Sequence, residues 1–204
     1  MTAIVFDLDG TLLRATRPYR EVLSDAFEAA TGEVRPEWLD AYDEAFWELF
    51  SACEPDPFRG AFSRIDGCSD PESLVESLRK RECESFRPPD GAHADLERLA
   101  EEYELGVLTN GVPEWQVHKL RTHDLYDYFD AVVASYEVGA HKPSAAPYRA
   151  IEDRLPAEEY AMVGDSESDV RGAENAGWTA YRYDGGGFGD LPDALDCART
   201  RQSG

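Results

Sequence analysis

The chain is expected to fold as an α/β protein, a doubly wound parallel sheet with a lobe of helices inserted after its first strand. Three observations lead there. Near the N-terminus, Ala3-Ile4-Val5-Phe6 is a short unbroken apolar run that ends in Asp7-Leu8-Asp9-Gly10-Thr11, as a strand buried on both faces of a parallel sheet reads. From about residue 92 to 184 helical and strand patterns alternate, the grammar of an open parallel sheet wrapped by helices. Between these two regions, residues 15–87 carry helical periodicity and no convincing strand. The domains expected are therefore 1–14 with 88–204 as the sheet domain, and 15–87 as the inserted helical lobe.

In chain order, the first strand leads directly into two acids. Side chains two apart in a strand point the same way, so Asp7 and Asp9 can face one site where the strand ends. Paired carboxylates repel unless a cation lies between them or one keeps its proton. Gly10 frees the backbone to turn there. In the lobe, Val22, Leu23, Ala26, Phe27 and Ala30 lie on one helical face over Glu21–Ala30. Trp38, Leu39, Tyr42, Phe46, Leu49 and Phe50 repeat the pattern over Glu37–Phe50. Asp70-Pro71 reads as an N-cap followed by proline in the first turn of a third helix. Arg87-Pro88-Pro89-Asp90-Gly91 is a stiff return segment.

The alternation then runs as follows: helix Ala92–Glu102, strand Glu104–Thr109, helix Pro113–Thr122, strand Ala131–Ser135, helix Ala145–Leu155, strand Tyr160–Val163, helix Val170–Ala176 and strand Thr179–Tyr183. Ligands of such sheets bind beyond the carboxyl ends of the strands. Asp7, Asp9, Thr109 and Asp165 all fall there. Gly185-Gly186-Gly187 opens no helix and reads as a loop. His118 and His123 are five apart, the wrong spacing for one helical face, and are not read as a metal pair. Arg14, Arg17 and Arg20 read as solvated cations, with a lesser alternative that one holds an anionic substrate.

Four separated pieces, FDLDGTLL, LTNG, HKPS and VGDSESD, together resemble the haloacid dehalogenase (HAD) superfamily, in its branch with a helical cap after the first motif. The resemblance covers about residues 3–184. It implies a Rossmann-like core, a cap over the site that selects the leaving group, and a Mg²⁺-dependent phosphatase of the phosphoglycolate-phosphatase-like kind. Asp7 would be the nucleophile, forming an aspartyl-phosphate. Asp9 would protonate the leaving oxygen and then deprotonate the hydrolytic water. Thr109, the backbone around Asn110, and Lys142 would bind the phosphoryl group, Lys142 where negative charge accumulates. Mg²⁺ would be held by the Asp7 carboxylate, the Asp9 backbone carbonyl and Asp165, with Asp169 supporting this shell one helical turn on.

The superfamily's carbon–halogen hydrolysis is an alternative, but halide leaves without a proton, and the dehalogenases carry no second aspartate at the place of Asp9 and use no Mg²⁺. A phosphomutase would use the same catalytic set. A phospho-accepting signalling domain is a remote alternative, since it has no seventy-residue lobe after its first strand. A small phosphorylated metabolite is the expected partner.

Composition bears on partners and setting. Forty-two acids face 20 bases, for a formal charge of −22, and three of the bases, Lys80, Lys119 and Lys142, are lysines. So negative a surface repels nucleic acid and anionic membranes, and neither is expected as a partner. A hydrophobic content of 42% argues against disorder. Cys53, Cys68, Cys83 and Cys197 have neither C-x-x-C spacing nor a dense framework, and read as reduced thiols of a cytoplasmic protein. No apolar run reaches the ~18 residues of a membrane span. Acid excess with scarce lysine points to adaptation to high salt. At ~0.01 M salt the Debye length of ~30 Å lets acids across the molecule repel one another, and at ~1 M it falls to ~3 Å. Melting temperature and activity are therefore expected to rise from dilute buffer to molar KCl at constant Mg²⁺; a melting temperature flat over that range would refute the salt adaptation.

Overall fold

The computed structural model describes residues 1–191, 193, 195 and 196. Its chain divides into two compact units, one of Met1–Arg14 with the chain from Arg87 onward, the other of Ala15–Phe86. Cys53, Cys68 and Cys83 are not in disulfides; Cys197 lies outside the described residues. No helix among those residues is long and apolar enough to cross a membrane.

The strands in chain order are β1 (Thr2–Phe6), the two-residue β2 (Arg14–Ala15) and β3 (Phe86–Arg87), then β4 (Glu104–Thr109), β5 (Ala131–Ala134), β6 (Glu159–Gly164) and β7 (Thr179–Arg182). Five of them form one sheet in the order β5-β4-β1-β6-β7, with every pairing parallel. β1 is central: Ile4 lies opposite Leu105 of β4 and Ala161 of β6, and Phe6 opposite Val107 and Val163. Residues Ala3 to Phe6 are fully buried, as covered parallel sheets require. The order reverses direction at β1, since the chain goes outward to β4 and β5 on one side and to β6 and β7 on the other. That is the switch point where doubly wound sheets place their ligands.

The helices are α1 (Tyr19–Thr31), α2 (Pro36–Ser51), α3 (Pro57–Ser63) and α4 (Pro71–Glu84) in the inserted unit, and α5 (Ala92–Ala100), α6 (Pro113–Thr122), α7 (Ala145–Arg154) and α8 (Glu167–Ala176) in the sheet unit. In the inserted unit Phe27 of α1 meets Phe62 of α3 edge to face with centroids 5.5 Å apart, and Trp38 of α2 at the same spacing. Asp70 caps α4 as expected, accepting from the Ser73 N–H at 3.1 Å. The sequence reading counted three helices here, and the structure has four. Asp56-Pro57 carries the same cap-and-proline signal, with Asp56 accepting from the Arg59 N–H, but the helix it opens has seven residues, too few for a period to show.

Several element ends in the sheet unit differ from expectation by one to three residues, and two of these have a local cause. The third strand expected, over Ala131–Ser135, stops at Ala134, where a 3₁₀ turn, Ser135–Val138, takes over. The helix expected from Val170 starts three residues earlier, because Ser166 and Asp169 form a reciprocal capping box. One face of the sheet is packed by Tyr148 and Ile151 of α7, Ala173 of α8 and Trp178 against Val5, Leu108, Val133 and Met162. Ile151 is fully buried in this cluster, so Ile151→Ala is expected to lower unfolding free energy by about 2–5 kcal/mol, read by denaturant titration with an unchanged m-value.

Candidate active site

Three adjacent parallel strands, β4, β1 and β6, deliver their carboxyl ends to one edge of the sheet. Thr109 ends β4, Asp7 follows β1, and Asp165 follows β6. The first loop doubles back on itself, with the Gly10 N–H donating to the Leu13 carbonyl at 2.8 Å and the Leu13 N–H to the Leu8 carbonyl at 2.9 Å. Gly10 has φ +104°, and a Cβ placed there would stand 2.5 Å from the Asp165 carboxylate. Glycine is therefore required twice over, by conformation and by the approach of the acid.

Lys142 enters from the loop after β5 and is almost wholly buried. Its Nζ donates to Asp7 Oδ1 at 2.6 Å and to the Leu108 carbonyl at 2.7 Å, and it is ion-paired with Asp169 Oδ1 at 2.7 Å. Three acceptors match the three donors of an ammonium. Asn110 fixes the backbone of the lysine: its Oδ1 accepts the Lys142 N–H at 2.8 Å and its Nδ2 donates to the Lys142 carbonyl at 3.4 Å. The Asn110 side chain thus holds the lysine loop, leaving its main chain as the expected phosphate contact. His141, given no role from sequence, meets the Ser135 hydroxyl at 2.8 Å, and that hydroxyl accepts the Gly111 N–H at 3.0 Å. The pair braces the loops after β4 and β5.

Asp7, Asp165 and Asp169 each bring a carboxylate oxygen to within 4.8 Å of the others. Both oxygens of Asp169 are engaged, Oδ1 by Lys142 and Oδ2 by the N–H and hydroxyl of Ser166 at 3.0 and 2.6 Å. Asp7 and Asp165 are the pair that could share a cation, with Thr11 donating its hydroxyl to Asp165 Oδ1 at 3.3 Å. Two carboxylates in an all-oxygen setting fit Mg²⁺, which keeps waters and phosphate oxygens for its other positions. Burial pushes the Asp7 carboxyl up to about 7, against the pull of Lys142 and with help from Asp169 and Asp9. Burial would lower the Lys142 ammonium, but Asp7 and Asp169 outweigh it and hold it above the usual lysine value.

Asp9 stands outside that trio. Its carboxylate, about a third exposed, accepts from Lys119 Nζ at 2.9 and 3.0 Å and from Gln116 Nε2 at 3.0 Å. The same Gln116 nitrogen donates to Thr109 Oγ1 at 2.8 Å. Neither Gln116 nor Lys119 was singled out from sequence. Both lie on α6, three residues apart and hence on one face, just after the Thr109-Asn110-Gly111 turn. The three early arginines are committed elsewhere: Arg14 donates to Tyr183 Oη at 2.8 Å, Arg17 pairs with Asp25 at 2.6 Å, and Arg20 with Asp40 at 2.6 Å. Gly185–Gly187 is a loop, as expected, with the Gly186 carbonyl accepting from Tyr183 Oη.

A doubly wound parallel sheet with two aspartates after its central strand, a buried lysine between acids, and carboxylates that could hold a metal ion make this edge of the sheet the candidate active site. Comparison with known proteins identifies the family. The family profile of haloacid dehalogenase-like hydrolases matches residues 1–177, and the chain belongs to that family. It is similar to the pyrophosphatase PpaX of Halalkalibacterium halodurans, 27% identical over 87% of this chain and 80% of that protein. Its likeness to a phosphoserine phosphatase of Thermus thermophilus is 31% identity over 95% of this chain and 93% of that one. Among solved structures, a 2-haloacid dehalogenase of Pseudomonas syringae superposes with a TM-score of 0.71, covering 97% of this chain and 99% of that one at 23% identity, a likeness of fold.

The raised Asp7 carboxyl has a consequence for stability. Its ordinary value is 3.8 and its folded value about 7, so between these the unfolded chain has lost a proton that the folded state keeps. Its contribution to stability is full below the lower value and lost as pH rises through the upper one. In EDTA, Asp7→Asn is therefore expected to melt above the wild type at about pH 8, with the difference closing toward about pH 4. Paired thermal melts across that range check the sign; a difference that grows on acidification would overturn it.

Proposed function

We propose that this hydrolase is a Mg²⁺-dependent phosphatase that cleaves a small phosphate monoester through an aspartyl-phosphate on Asp7. The observation that carries this reading is Asp9. A second carboxyl group, set two residues from Asp7 and held by Lys119 and Gln116, serves a leaving group that needs a proton, which an ester oxygen does and a halide does not. The two relatives, a pyrophosphatase and a phosphoserine phosphatase, support the same class.

The Asp7 carboxylate oxygen attacks phosphorus, the phosphorus–ester oxygen bond breaks, and the departing oxygen takes its electron pair and a proton from Asp9. Asp9, now a carboxylate, takes a proton from water as the water oxygen bonds to phosphorus. The bond from phosphorus to Asp7 then breaks, releasing inorganic phosphate and restoring both acids. Lys142 lies against Asp7 and stabilises charge on the phosphoryl oxygens, with the Thr109 hydroxyl and the backbone at Asn110 as neighbouring donors. Asp7 and Asp165, with the Asp9 carbonyl, would hold Mg²⁺. When bound, that ion supplies positive charge that keeps Asp7 ionised and offsets the negative phosphoryl group. Asp169 keeps Lys142 in place. The scattered spacing of the cysteines and the acid excess support a reduced, salt-rich cytoplasm as the setting.

Asp7→Asn is expected to lower turnover of phosphate esters by on the order of 10³-fold or more, because an amide cannot form the acyl phosphate. Chelation should remove activity and Mg²⁺ restore it, and Asp165→Ala should raise the Mg²⁺ requirement or end turnover. Phosphate release from a panel of phosphorylated metabolites reads these outcomes. Chloride release from 2-chloropropionate in EDTA, with every phosphate ester inert, would overturn the assignment.

A further inference from the structure

The mechanism above uses Asp9 twice, as acid and as base, and both uses require its carboxylate to be in one place. An aspartate about a third exposed on a turning loop has no such constraint by itself. What the structure puts beside it is a lysine with a side chain only 3% exposed, a costly burial unless the charge is met by acceptors. Lys119 meets both Asp9 oxygens, at 2.9 and 3.0 Å. One turn earlier on the same face of α6, Gln116 bridges Asp9 Oδ2 and Thr109 Oγ1 with one nitrogen, at 3.0 and 2.8 Å. The helix begins at Pro113, immediately beyond the strand that ends in Thr109. Its position is thus set by the strand adjacent to β1, and its lysine reaches up to the loop that follows β1.

We infer that Lys119 is a positioning residue for the acid–base step, clamping the Asp9 carboxylate while Gln116 ties that carboxylate to the phosphate-binding hydroxyl of Thr109. The Asp7 pocket has its own cation in Lys142, so the two acids are held by two different lysines. Lys119 acts through Asp9 and not on the phosphoryl group. Its loss should slow chemistry where a proton must be delivered and leave binding of the phosphoryl group intact. The inference rests on the phosphatase reading, and the test separates the two.

The experiment uses Lys119→Met, which keeps length and removes charge, and Lys119→Arg, which keeps charge, each checked for a cooperative melt. Turnover is measured in Mg²⁺ on an alkyl phosphate, whose leaving group needs a proton, and on 4-nitrophenyl phosphate, whose leaving group does not. Lys119→Met is expected to lower kcat on the alkyl ester by about 10–100-fold, with KM changed less than about threefold. The loss should be smaller on 4-nitrophenyl phosphate, and Lys119→Arg should recover part of it. Inhibition by beryllium fluoride, which occupies the phosphoryl position, should be unchanged. A crystal structure of Lys119→Met should show the Asp9 carboxylate displaced or in several orientations, a readout independent of any reaction. An equal loss on both esters, a rise in KM at constant kcat, or an Asp9 unmoved in a variant of normal activity would each overturn the role. Failure of the wild type to hydrolyse any phosphate ester would instead overturn the phosphatase reading, and the position of Asp9 would still decide whether Lys119 clamps it.

Discussion

The arrangement of the sheet unit depends on burying one ammonium group. Removing a charged lysine from water costs several kcal/mol unless its donors are met by good acceptors, and Lys142 has three: Asp7, the Leu108 carbonyl and Asp169. These come from the loop after β1, from inside β4 and from the first turn of α8. The cation can sit there only if the central strand, its neighbour and the last helix keep their register. The capping box that starts α8 at Glu167 is part of the same requirement, because it turns Asp169 Oδ2 onto Ser166 and leaves Oδ1 for the lysine. Gly164 is the complement: a Cβ at that position would collide with the Asp169 side chain. An N-terminal helix turn, a glycine and a lysine 22 residues before the glycine thus answer to one electrostatic condition.

Asp7 and Asp9 are the same residue type two positions apart, and the fold makes them chemically different. Asp7 is buried, crowded by other acids and matched with a cation that is itself shared. Asp9 is partly solvated and held by a lysine and a glutamine on one helix. Separating the environments of two neighbouring carboxyl groups is how one site obtains a nucleophile and a proton carrier at the same pH. The division also explains why two lysines are needed. A single cation between both acids would tie their ionisation together, whereas the proposed cycle needs Asp9 to change protonation while Asp7 is esterified.

The sheet and most of the site were legible in the sequence because the signals are local. An apolar run into D-x-D-G-T, the turn after Thr109, His141-Lys142-Pro143-Ser144 and Gly164-Asp165-Ser166 each occupy a few consecutive positions, and the alternation from residue 92 is built from short periodic segments. Asp169 was readable as a support because it sits one turn past Asp165. Gln116 and Lys119 were not read, because what gives them meaning is contact with a residue 107 and 110 positions away. The helix pattern identifies α6 but not what its face meets. One signal was present: Lys119, like Lys142, is one of three lysines in the whole chain. The short α3 and the 3₁₀ turn after β5 were missed for a different reason, since neither is long enough to display a period.

The use of the two basic residue types follows from their shapes. Arginine serves the surface, where Arg17, Arg20, Arg59, Arg64 and Arg154 pair with Asp25, Asp40, Glu72, Glu48 and Glu137 at 2.6–2.9 Å. Its planar fork matches carboxylates well, though such solvated pairs contribute little each. Two of the three lysines are buried instead, at Lys119 and Lys142. A compact ammonium suits a pocket in which acceptors converge from several directions, as they do around Lys142. In a chain of formal charge −22, placing these cations inside also decides where an anion can rest. The two buried cations stand at the carboxyl ends of β1 and β4, Lys142 against Asp7 and Lys119 against Asp9. For the phosphate ester proposed as substrate, long-range repulsion by the acid excess would slow arrival, and the buried lysines would mark where it stops.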